Sequence, residues 1–124
     1  MYIPKNLLFP PKGISISKWR RELKTGLLWR DTYCYCGKPL VRGVNIDMHE
    51  GLISRAEIMG CPKELRLMMY NELNCVLICH DCNVGGPPSR KQVWREQHER
   101  YGEELEKWYS SLQELLKHNL RRFQ

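Results

Sequence analysis

Four cysteines in two close pairs, Cys34 with Cys36 and Cys79 with Cys82, constrain the fold of this chain more than any other feature. Zinc binds four thiolates in a tetrahedron, and paired cysteines in two distant segments are a usual source of such ligands. We therefore expect one structural zinc ion to fasten the two segments together. A chain of 124 residues forms only a modest core, so an ion that contributes on the order of 10 kcal/mol would matter for its folding.

The two pairs differ in spacing. Residues 79–82 read Cys-His-Asp-Cys, which is the spacing of a zinc knuckle, a turn that directs both sulfurs toward one metal ion. The pair Cys34-Tyr-Cys36 is one residue shorter, although Gly37 after it suits a tight turn. Cys34 therefore either binds zinc from an unusual turn or stays out of the site, and His80 is an alternative ligand. The two remaining cysteines are expected to be small core residues, Cys61 and Cys75.

We expect the N-terminal segment not to be a secretory signal, because prolines interrupt its short apolar run. No stretch of the sequence approaches the roughly 18 apolar residues that a membrane span requires. We therefore expect no membrane association and a cytoplasmic location. Thiols stay reduced there, and cysteine pairs bind metals rather than form disulfides.

Positive charge is concentrated near the N-terminus. The chain has a net charge of +6, and residues 1–33 hold seven Lys or Arg against two acids. A solvated tail would have this composition, but we favour contacts with nucleic-acid phosphates, since basic side chains interleave with tryptophans here. The residues concerned are Lys18, Arg20, Arg21, Lys24 and Arg30, with Trp19 and Trp29. The DNA-binding candidates among them are Arg20, Arg21 and Lys24.

Hydrophobic periodicity and turn residues predict a mixture of helices and strands. The predicted elements are a helix over 18–28 capped by Ser17, a strand over 40–48, a helix from Pro62, a strand over 74–79 and a long helix after Ser89. Apolar residues of this last helix recur at three- and four-residue steps over 93–120, with Gly102 as a weak point. Its apolar stripe is expected to pack on the core or to form a dimer seam.

Three segments of the chain resemble the HNH endonucleases. They are Cys36-Gly-Lys-Pro-Leu, Ile46-Asp-Met-His-Glu-Gly-Leu-Ile-Ser-Arg and Asn74-Cys-Val-Leu-Ile-Cys-His-Asp-Cys-Asn83. The resemblance covers residues 33–90 and implies an α+β fold with a small ββα-metal core, also called a His-Me finger, that zinc knuckles stabilise. We expect a basic arm and short helix before this core, in residues 1–32, and a helical extension after it, in residues 91–124.

The resemblance implies metal-dependent hydrolysis of phosphodiester bonds in double-stranded DNA, which leaves 5′-phosphate and 3′-hydroxyl ends. His49 matches the general base that activates water, and Asn74 matches the asparagine that holds the loop and orients the histidine. Asn83 matches a metal ligand on the helix and would hold Mg²⁺ or Mn²⁺ with Asp47. Arg55 follows the histidine by six residues and would contact the cleaved phosphate. Small stand-alone proteins of this kind resemble those of phages and mobile elements.

The chemistry of these residue types agrees with that expectation. An imidazole has a pKa suited to deprotonating water near neutral pH. A hard divalent cation neutralises charge on the phosphate and the leaving oxygen, and Mg²⁺ prefers carboxylate and amide oxygens. Asp47 and His49 are two residues apart, so on a strand they project from the same face.

The chain departs from the family pattern before the histidine, where Met48 replaces the usual Asp or His. Asp47 is then expected to reach the metal only if the strand end is bulged. Alternatively, His49 is the ligand and Glu50 is the base or a second ligand. The Gly-Gly-Pro-Pro break at residues 85–88 predicts that the last helix of the core is short or kinked.

Two other functions fit parts of the sequence. A zinc-knuckle protein that binds DNA without cutting it would have the same cysteines and the same basic residues. A protein-interaction adaptor would use the long C-terminal helix as its functional surface, and that helix is also a candidate homodimer contact.

Overall fold

The structure is a computed structural model that describes the backbone of residues 9–122 and the side chains of residues 9–117. The expected α+β class is confirmed, with six helices and a two-stranded antiparallel sheet in these residues. In chain order the elements are α1 (Ile16–Leu27), β1 (Ile46–Glu50), α2 (Arg55–Met59), α3 (Lys63–Met69), β2 (Cys75–Cys79), α4 (His80–Gly85), α5 (Arg90–Tyr101) and α6 (Glu103–Arg122). None of these helices is both long enough and apolar enough to cross a bilayer. The first eight residues of the expected basic arm lie outside the described part.

The sheet consists of two short strands. β1 and β2 pair in an unbroken antiparallel register, from Ile46 opposite Cys79 to Glu50 opposite Cys75. All of β2 is buried, which agrees with its continuous apolar sequence. The strand predicted over 74–79 is therefore confirmed to within one residue at its start. β1 is the more exposed of the two strands.

The two faces of the sheet pack against different helices, since successive side chains of a strand point to opposite faces. α1, α3 and part of α6 form the first core cluster with one face, and this cluster includes Trp19, Leu23, Leu27, Met69, Cys75, Leu77 and Leu112. α5 and the start of α6 form the second core cluster with the other face, and this cluster includes Leu52, Leu73, Val76, Ile78, Val93 and Leu105. The helix that precedes residues 33–90 and the helices that follow them thus pack into the same two hydrophobic clusters as the expected core region.

α1 begins two residues before the predicted position. Its N-cap is Ser15, which has an extended backbone and accepts a hydrogen bond from the Lys18 backbone N–H, so the prediction of Ser17 as the cap is wrong. Trp19 lies on the buried face of this helix with Leu23 and Leu27, as the apolar periodicity predicts. Its indole is fully buried and donates a hydrogen bond to the backbone carbonyl of Tyr70.

A buried ion pair closes the second edge of β2 in the described part of the chain. The Arg30 side chain is 1% exposed and donates two hydrogen bonds of 2.8 Å to the Asp31 carboxylate. It also donates to the backbone carbonyls of Glu72 and Cys75, while the Asp31 carboxylate accepts from the Leu77 backbone N–H. The expected phosphate contact of Arg30 is therefore wrong, because its guanidinium is fully engaged inside the fold.

The strand predicted over 40–48 begins only at Ile46, because a turn precedes it. The Asn45 side chain accepts a hydrogen bond from the Val41 backbone N–H at 2.9 Å. Gly43 has a φ of 77°, a value that residues in a strand do not adopt. Local Asn and Gly chemistry thus overrides the strand propensity of the valines in this segment.

The prediction of one long C-terminal helix is wrong, because Gly102 separates α5 from α6 with a φ of 57°. The ring of Trp94 packs edge-on against the ring of Tyr109, with their centroids 5.2 Å apart. On one straight helix these two positions would lie about 22 Å apart. The chain therefore turns back at the glycine, and both helices reach the same core.

The apolar stripe of α6 packs within its own chain. Leu105 and Leu112 are buried in the two core clusters. The side chain of Leu120, at the end of the predicted stripe, lies outside the described residues. A homodimer through this helix stays a prediction.

Candidate metal centres and basic groove

The sulfur atoms of Cys34, Cys36, Cys79 and Cys82 all lie within 4.8 Å of one another. Those of Cys36 and Cys79 are 3.9 Å apart. Four thiolates at the usual zinc–sulfur distance stand about 3.8 Å apart at the corners of a tetrahedron, so this cysteine cluster fits a structural metal ion such as zinc. Cys34 belongs to the cluster despite the short spacing of its pair, which leaves no zinc position for His80 to fill.

Two backbone turns bring the four sulfurs together. In the first turn, Gly37 donates a hydrogen bond of 2.8 Å to the Cys34 carbonyl and has a φ of 92°, which favours glycine. The Cys34 N–H donates to the Lys38 carbonyl at 2.8 Å and closes the turn from the other side. In the second turn, Cys79 ends β2 and Cys82 lies near the start of α4.

The two other cysteines lie outside this cluster. Cys75 is fully buried in the first core cluster, as expected, and burial raises the pKa of its thiol. Cys61 is partly exposed, and its thiol donates to the Glu57 carbonyl at 3.5 Å.

The protonation of the clustered cysteines also suits a metal ion. A hydrogen bond from the Lys38 backbone lowers the pKa of the Cys36 thiol to about 7, so a thiolate forms there near neutral pH. Burial raises the pKa of Cys34, and hydrogen bonding with Cys79 raises the pKa of Cys82 to about 12. The group therefore resists full ionisation by itself, and a bound divalent cation would supply the charge that stabilises four thiolates.

A second group of polar side chains joins β1 to α4, and we call it the Asp47–His80–Asn83 cluster. The Oδ2 atom of Asp47 accepts hydrogen bonds from Nδ1 of His80 at 2.8 Å and from Nδ2 of Asn83 at 3.1 Å. Partial burial opposes ionisation of Asp47, but these two hydrogen bonds, together with the charges of His80 and Lys24, outweigh it and hold the pKa of the carboxyl below its ordinary value. The two expected ligands of the catalytic ion, Asp47 and Asn83, are thus in direct contact.

This contact needs no distortion of β1. The register is regular on both sides of Asp47, so the strand has no bulge there, and Asp47 meets Asn83 without one. α4 ends at Gly85, and the expectation of a short helix before the Pro-Pro sequence is confirmed. His80 and Asn83 are three residues apart on this helix, which places them on the same face beside the strand.

His49 lies on the same face of β1 as Asp47, with its Cα about 7 Å further along the strand. Burial lowers the pKa of the imidazole, and the charge of Glu50 and a hydrogen bond with the Pro88 backbone oppose this effect. Among the described residues, no hydrogen bond or ion pair joins His49 to Asp47. The general-base role of His49 stays a prediction.

Glu50 faces away from His49, because adjacent residues of a strand project to opposite faces. Its side chain is 8% exposed and lies 3.6 Å from the guanidinium of Arg20, which also lies over the Tyr70 ring at 5.1 Å. Within the described residues, the buried side-chain polar atoms without a hydrogen-bond partner are Nε of Arg20 and Oε1 of Glu50. Glu50 therefore does not stand beside His49 as an alternative base or second ligand.

Asn74 is fully buried and ties down the loop that follows β1. Its side-chain oxygen accepts from the backbone N–H groups of Leu52 and Ile53 at 3.0 and 2.7 Å. Its side-chain nitrogen donates to the carbonyls of Ile53 and Met69, and its own carbonyl accepts from the Gly51 N–H. These contacts hold the loop, while a part in catalysis stays a prediction.

An open groove runs along the free edge of β1, and we call it the basic groove. It consists of two cavities of about 530 and 480 Å³ that share Lys24 and Asp47 as lining residues. The basic residues that line it are Arg20, Arg21, Lys24, Arg42 and Arg55. Asp47 is the one carboxylate among the described lining residues. The four residues expected to bind DNA therefore lie together in one groove with Asp47.

Sequence reasoning missed two residues of the basic groove. His80 was considered only as a zinc ligand, although its position three residues before Asn83 on a helix was a signal of a shared face. Arg42 lies in the turn before β1, where a strand was expected. Its place in the groove follows from the tertiary fold and has no local sequence signal.

Comparison of the chain with protein-family models, with curated proteins and with solved structures finds no match. The resemblance to HNH endonucleases therefore depends on the motif residues alone and stays a prediction. The cysteine cluster and the basic groove are the two features on which a functional proposal can build.

Proposed function

We propose that this protein is an HNH-type endonuclease that hydrolyses phosphodiester bonds of double-stranded DNA with Mg²⁺ or Mn²⁺ as its catalytic ion. The observation that supports this most is the contact of Asp47 with Asn83 inside the basic groove. The two side chains offer the oxygen ligands that a hard cation prefers. The basic residues around them suit a phosphate, which would accompany the cation in a complex with DNA.

The proposed catalytic core consists of β1, β2 and α4, in a ββα-metal arrangement. β1 carries Asp47 and His49, and α4 carries Asn83. The cysteine cluster, with structural zinc, would fasten the start of α4 to the turn at Cys36. Zinc would thereby fix the helix against the strand, and the distance between the proposed ligands would depend on it.

The proposed chemistry assigns a separate task to each residue. His49 would take the proton of a water molecule as the water oxygen attacks phosphorus and the bond to the 3′ oxygen breaks. A divalent cation held by Asp47 and Asn83 would supply positive charge to the phosphate and the leaving oxygen. Asn74 would keep the loop after β1 in place, and with it the end of the strand that carries His49.

The proposed DNA contacts are made to the phosphate backbone. Arg20 and Arg21 lie about one turn before Lys24 on α1, and Arg55, the first residue of α2, lines the same groove. Arginine and lysine contacts of this kind position a duplex without reading its sequence. Binding should therefore weaken steeply as the salt concentration rises.

Plasmid nicking tests this proposal. Zinc-loaded protein is incubated with supercoiled plasmid and Mg²⁺ or Mn²⁺ between pH 6 and 9, and the rate of nicking is measured. His49→Ala is expected to lower the rate by about 100-fold or more, because a general base typically contributes roughly 10²- to 10⁴-fold. His98→Ala is the matched control, since His98 is an exposed histidine on α5 beside Glu106 and belongs to neither β1 nor α4, which carry the proposed site.

The proposal fails if the wild type nicks with neither ion, or if His49→Ala nicks at the wild-type rate. Salt-dependent DNA binding without nicking would favour a zinc-knuckle DNA-binding module. A tight oligomer without DNA affinity at low salt would favour an interaction adaptor.

A further inference from the structure

We infer that His80 is a third protein ligand of the divalent cation, so that the site consists of Asp47, His80 and Asn83 and prefers Mn²⁺ or Ni²⁺ to Mg²⁺. This inference rests on the proposed function, because it concerns the same candidate cation site. It adds a nitrogen donor to a pair of oxygen donors, and that addition changes which ions the site selects.

The distances from Asp47 to His80 and to Asn83 already suit neighbouring ligands around one ion. Oδ2 of Asp47 is 2.8 Å from Nδ1 of His80 and 3.1 Å from Nδ2 of Asn83. Adjacent donors on an octahedral ion with bonds of about 2.1 Å stand about 3.0 Å apart. An ion that replaces the two hydrogen bonds therefore requires only small movements, with the Asn83 amide turned so that its oxygen faces the ion.

The backbone holds His80 in this position. His80 is the first residue of α4, directly after Cys79, and its N–H donates to the Asn45 carbonyl at 2.9 Å. Its side chain is 66% exposed, so an ion from solution can reach it without opening the core. The other carboxylate nearby on this helix, Asp81, is paired with Lys38 at 2.9 Å and is not part of the cluster.

Two other roles fit His80 less well. It is not needed for zinc, because the four sulfurs already supply a tetrahedral ligand set. A purely structural role would explain the contact with Asp47, but exposed imidazole–carboxylate pairs contribute little to stability. That role also gives no reason for Asn83 to converge on the same carboxylate oxygen.

The composition of the cluster determines the ion that it selects. Imidazole nitrogen suits Mn²⁺ and Ni²⁺ better than Mg²⁺, which prefers oxygen ligands throughout. The cluster has one carboxylate, and Lys24 and Arg21 line the groove beside it. Affinity for the free ion is therefore expected to be modest and to rise when a phosphate oxygen joins the site.

Mn²⁺ binding to the zinc-loaded full-length chain, without DNA, tests the inference. The electron paramagnetic resonance signal of free Mn²⁺ gives the affinity, and calorimetry with Ni²⁺ is a second probe. His80→Ala is expected to bind both ions about 10-fold more weakly or worse, since even outer-shell partners of a ligand are worth roughly 10- to 100-fold. His98→Ala should bind like the wild type, and Mg²⁺ binding should change less in His80→Ala than Mn²⁺ binding does.

A measurement on the wild type avoids any effect of substitution on folding. Substoichiometric Mn²⁺ is expected to broaden the imidazole proton resonances of His80 while those of His98 stay sharp. Three results would overturn the inference: no Mn²⁺ binding by the wild type, equal Mn²⁺ affinity in His80→Ala, or equal broadening of the two imidazoles.

These outcomes are independent of plasmid nicking. Binding that depends on His80, in a protein that never nicks DNA, would support the inference and reject the proposed nuclease. Nicking by a protein whose ion affinity does not depend on His80 would support the proposed nuclease and reject the inference about His80.

Discussion

The two edges of the small sheet carry similar charged residues in opposite surroundings. At the outer edge of β2, Arg30 and Asp31 are buried, paired with each other and hydrogen-bonded to the strand backbone. At the outer edge of β1, Arg21, Lys24 and Asp47 line an open groove. The role of an arginine in this chain therefore depends on whether other groups of the fold pair with its charge.

The two edges should also differ in what a substitution changes, which is stability at one edge and binding at the other. At the closed edge of β2, buried side chains satisfy the Cys75 carbonyl and the Leu77 N–H, so this edge contributes to the stability of the fold. The edge of β1 is flanked by basic side chains that an extended phosphate backbone could contact. Substitutions at the first edge should lower the free energy of unfolding, and substitutions at the second should lower DNA binding and ion binding.

Removal of zinc has the largest expected effect, because it should disrupt both edges of the sheet together. The cysteine cluster joins the turn at Cys36 to the junction of β2 and α4. Chelation is expected to remove on the order of 10 kcal/mol of folding free energy and to unfold the chain. Circular dichroism during titration with a chelator, together with the zinc content, measures this. A reduced, zinc-free chain with an unchanged Tm would show that the cluster is not a structural metal site.

Arg30→Met is expected to have the next largest effect. It leaves the Asp31 carboxylate buried without its partner, and breaking a buried pair in this way costs about 3–5 kcal/mol. Arg21→Met is the matched control, because Arg21 is exposed on the same segment and should change stability by no more than about 0.5 kcal/mol. Urea denaturation measures both variants, and similar costs for the two would remove the distinction between the edges.

Gly51→Ala should have a smaller effect, at the end of β1. A Cβ atom at Gly51 would lie 2.5–2.9 Å from side-chain atoms of Val93 on α5, and overpacking of this kind costs about 1–3 kcal/mol. Gly85→Ala is the control, since the space around Gly85 is open. Thermal unfolding compares the two, and a Tm of Gly51→Ala no lower than that of Gly85→Ala would contradict the close packing of Gly51 against Val93. DNA affinity at low temperature should stay unchanged in both, because neither substitution alters the charge of the groove.

Arg21→Gln should have the smallest effect, confined to DNA binding. Loss of one phosphate contact is expected to reduce the slope of log affinity against log salt by about 0.9. Arg95→Gln is the control, because Arg95 is exposed on α5 and is not a lining residue of the groove. Fluorescence anisotropy with a labelled duplex measures the slopes, and an equal change in both variants would mean that the groove is not the binding surface.

Short-range signals predicted several parts of the fold. The continuous apolar sequence predicted β2, and Pro62 marked the start of α3 to within one residue. The cysteine spacing predicted the metal cluster, apart from the uncertain place of Cys34. These predictions succeeded because each depends on residues close together in the chain or on a distinctive ligand type.

Long-range partners account for the parts that could not be predicted. Arg30 looks like the other basic residues of its segment, and only the backbone of β2 shows that it is a structural residue. His80 lies between Cys79 and Cys82 of the cysteine cluster, yet its side chain turns to Asp47 on β1. Gly102 marked a weak point of the long helix, but the packing of α5 against α6 decides that the chain turns back there.

Plasmid nicking by Asp47→Asn is the most direct test of the claim that DNA and a divalent cation meet at the free edge of β1. Thermal unfolding and zinc content of the same preparation show whether the fold persists. The account predicts a zinc-loaded protein with a nearly unchanged Tm. Its nicking rate should fall by about 100-fold or more, because the substitution removes the one carboxylate of the proposed ion site. Nicking by Asp47→Asn at the wild-type rate with the same ion would contradict it.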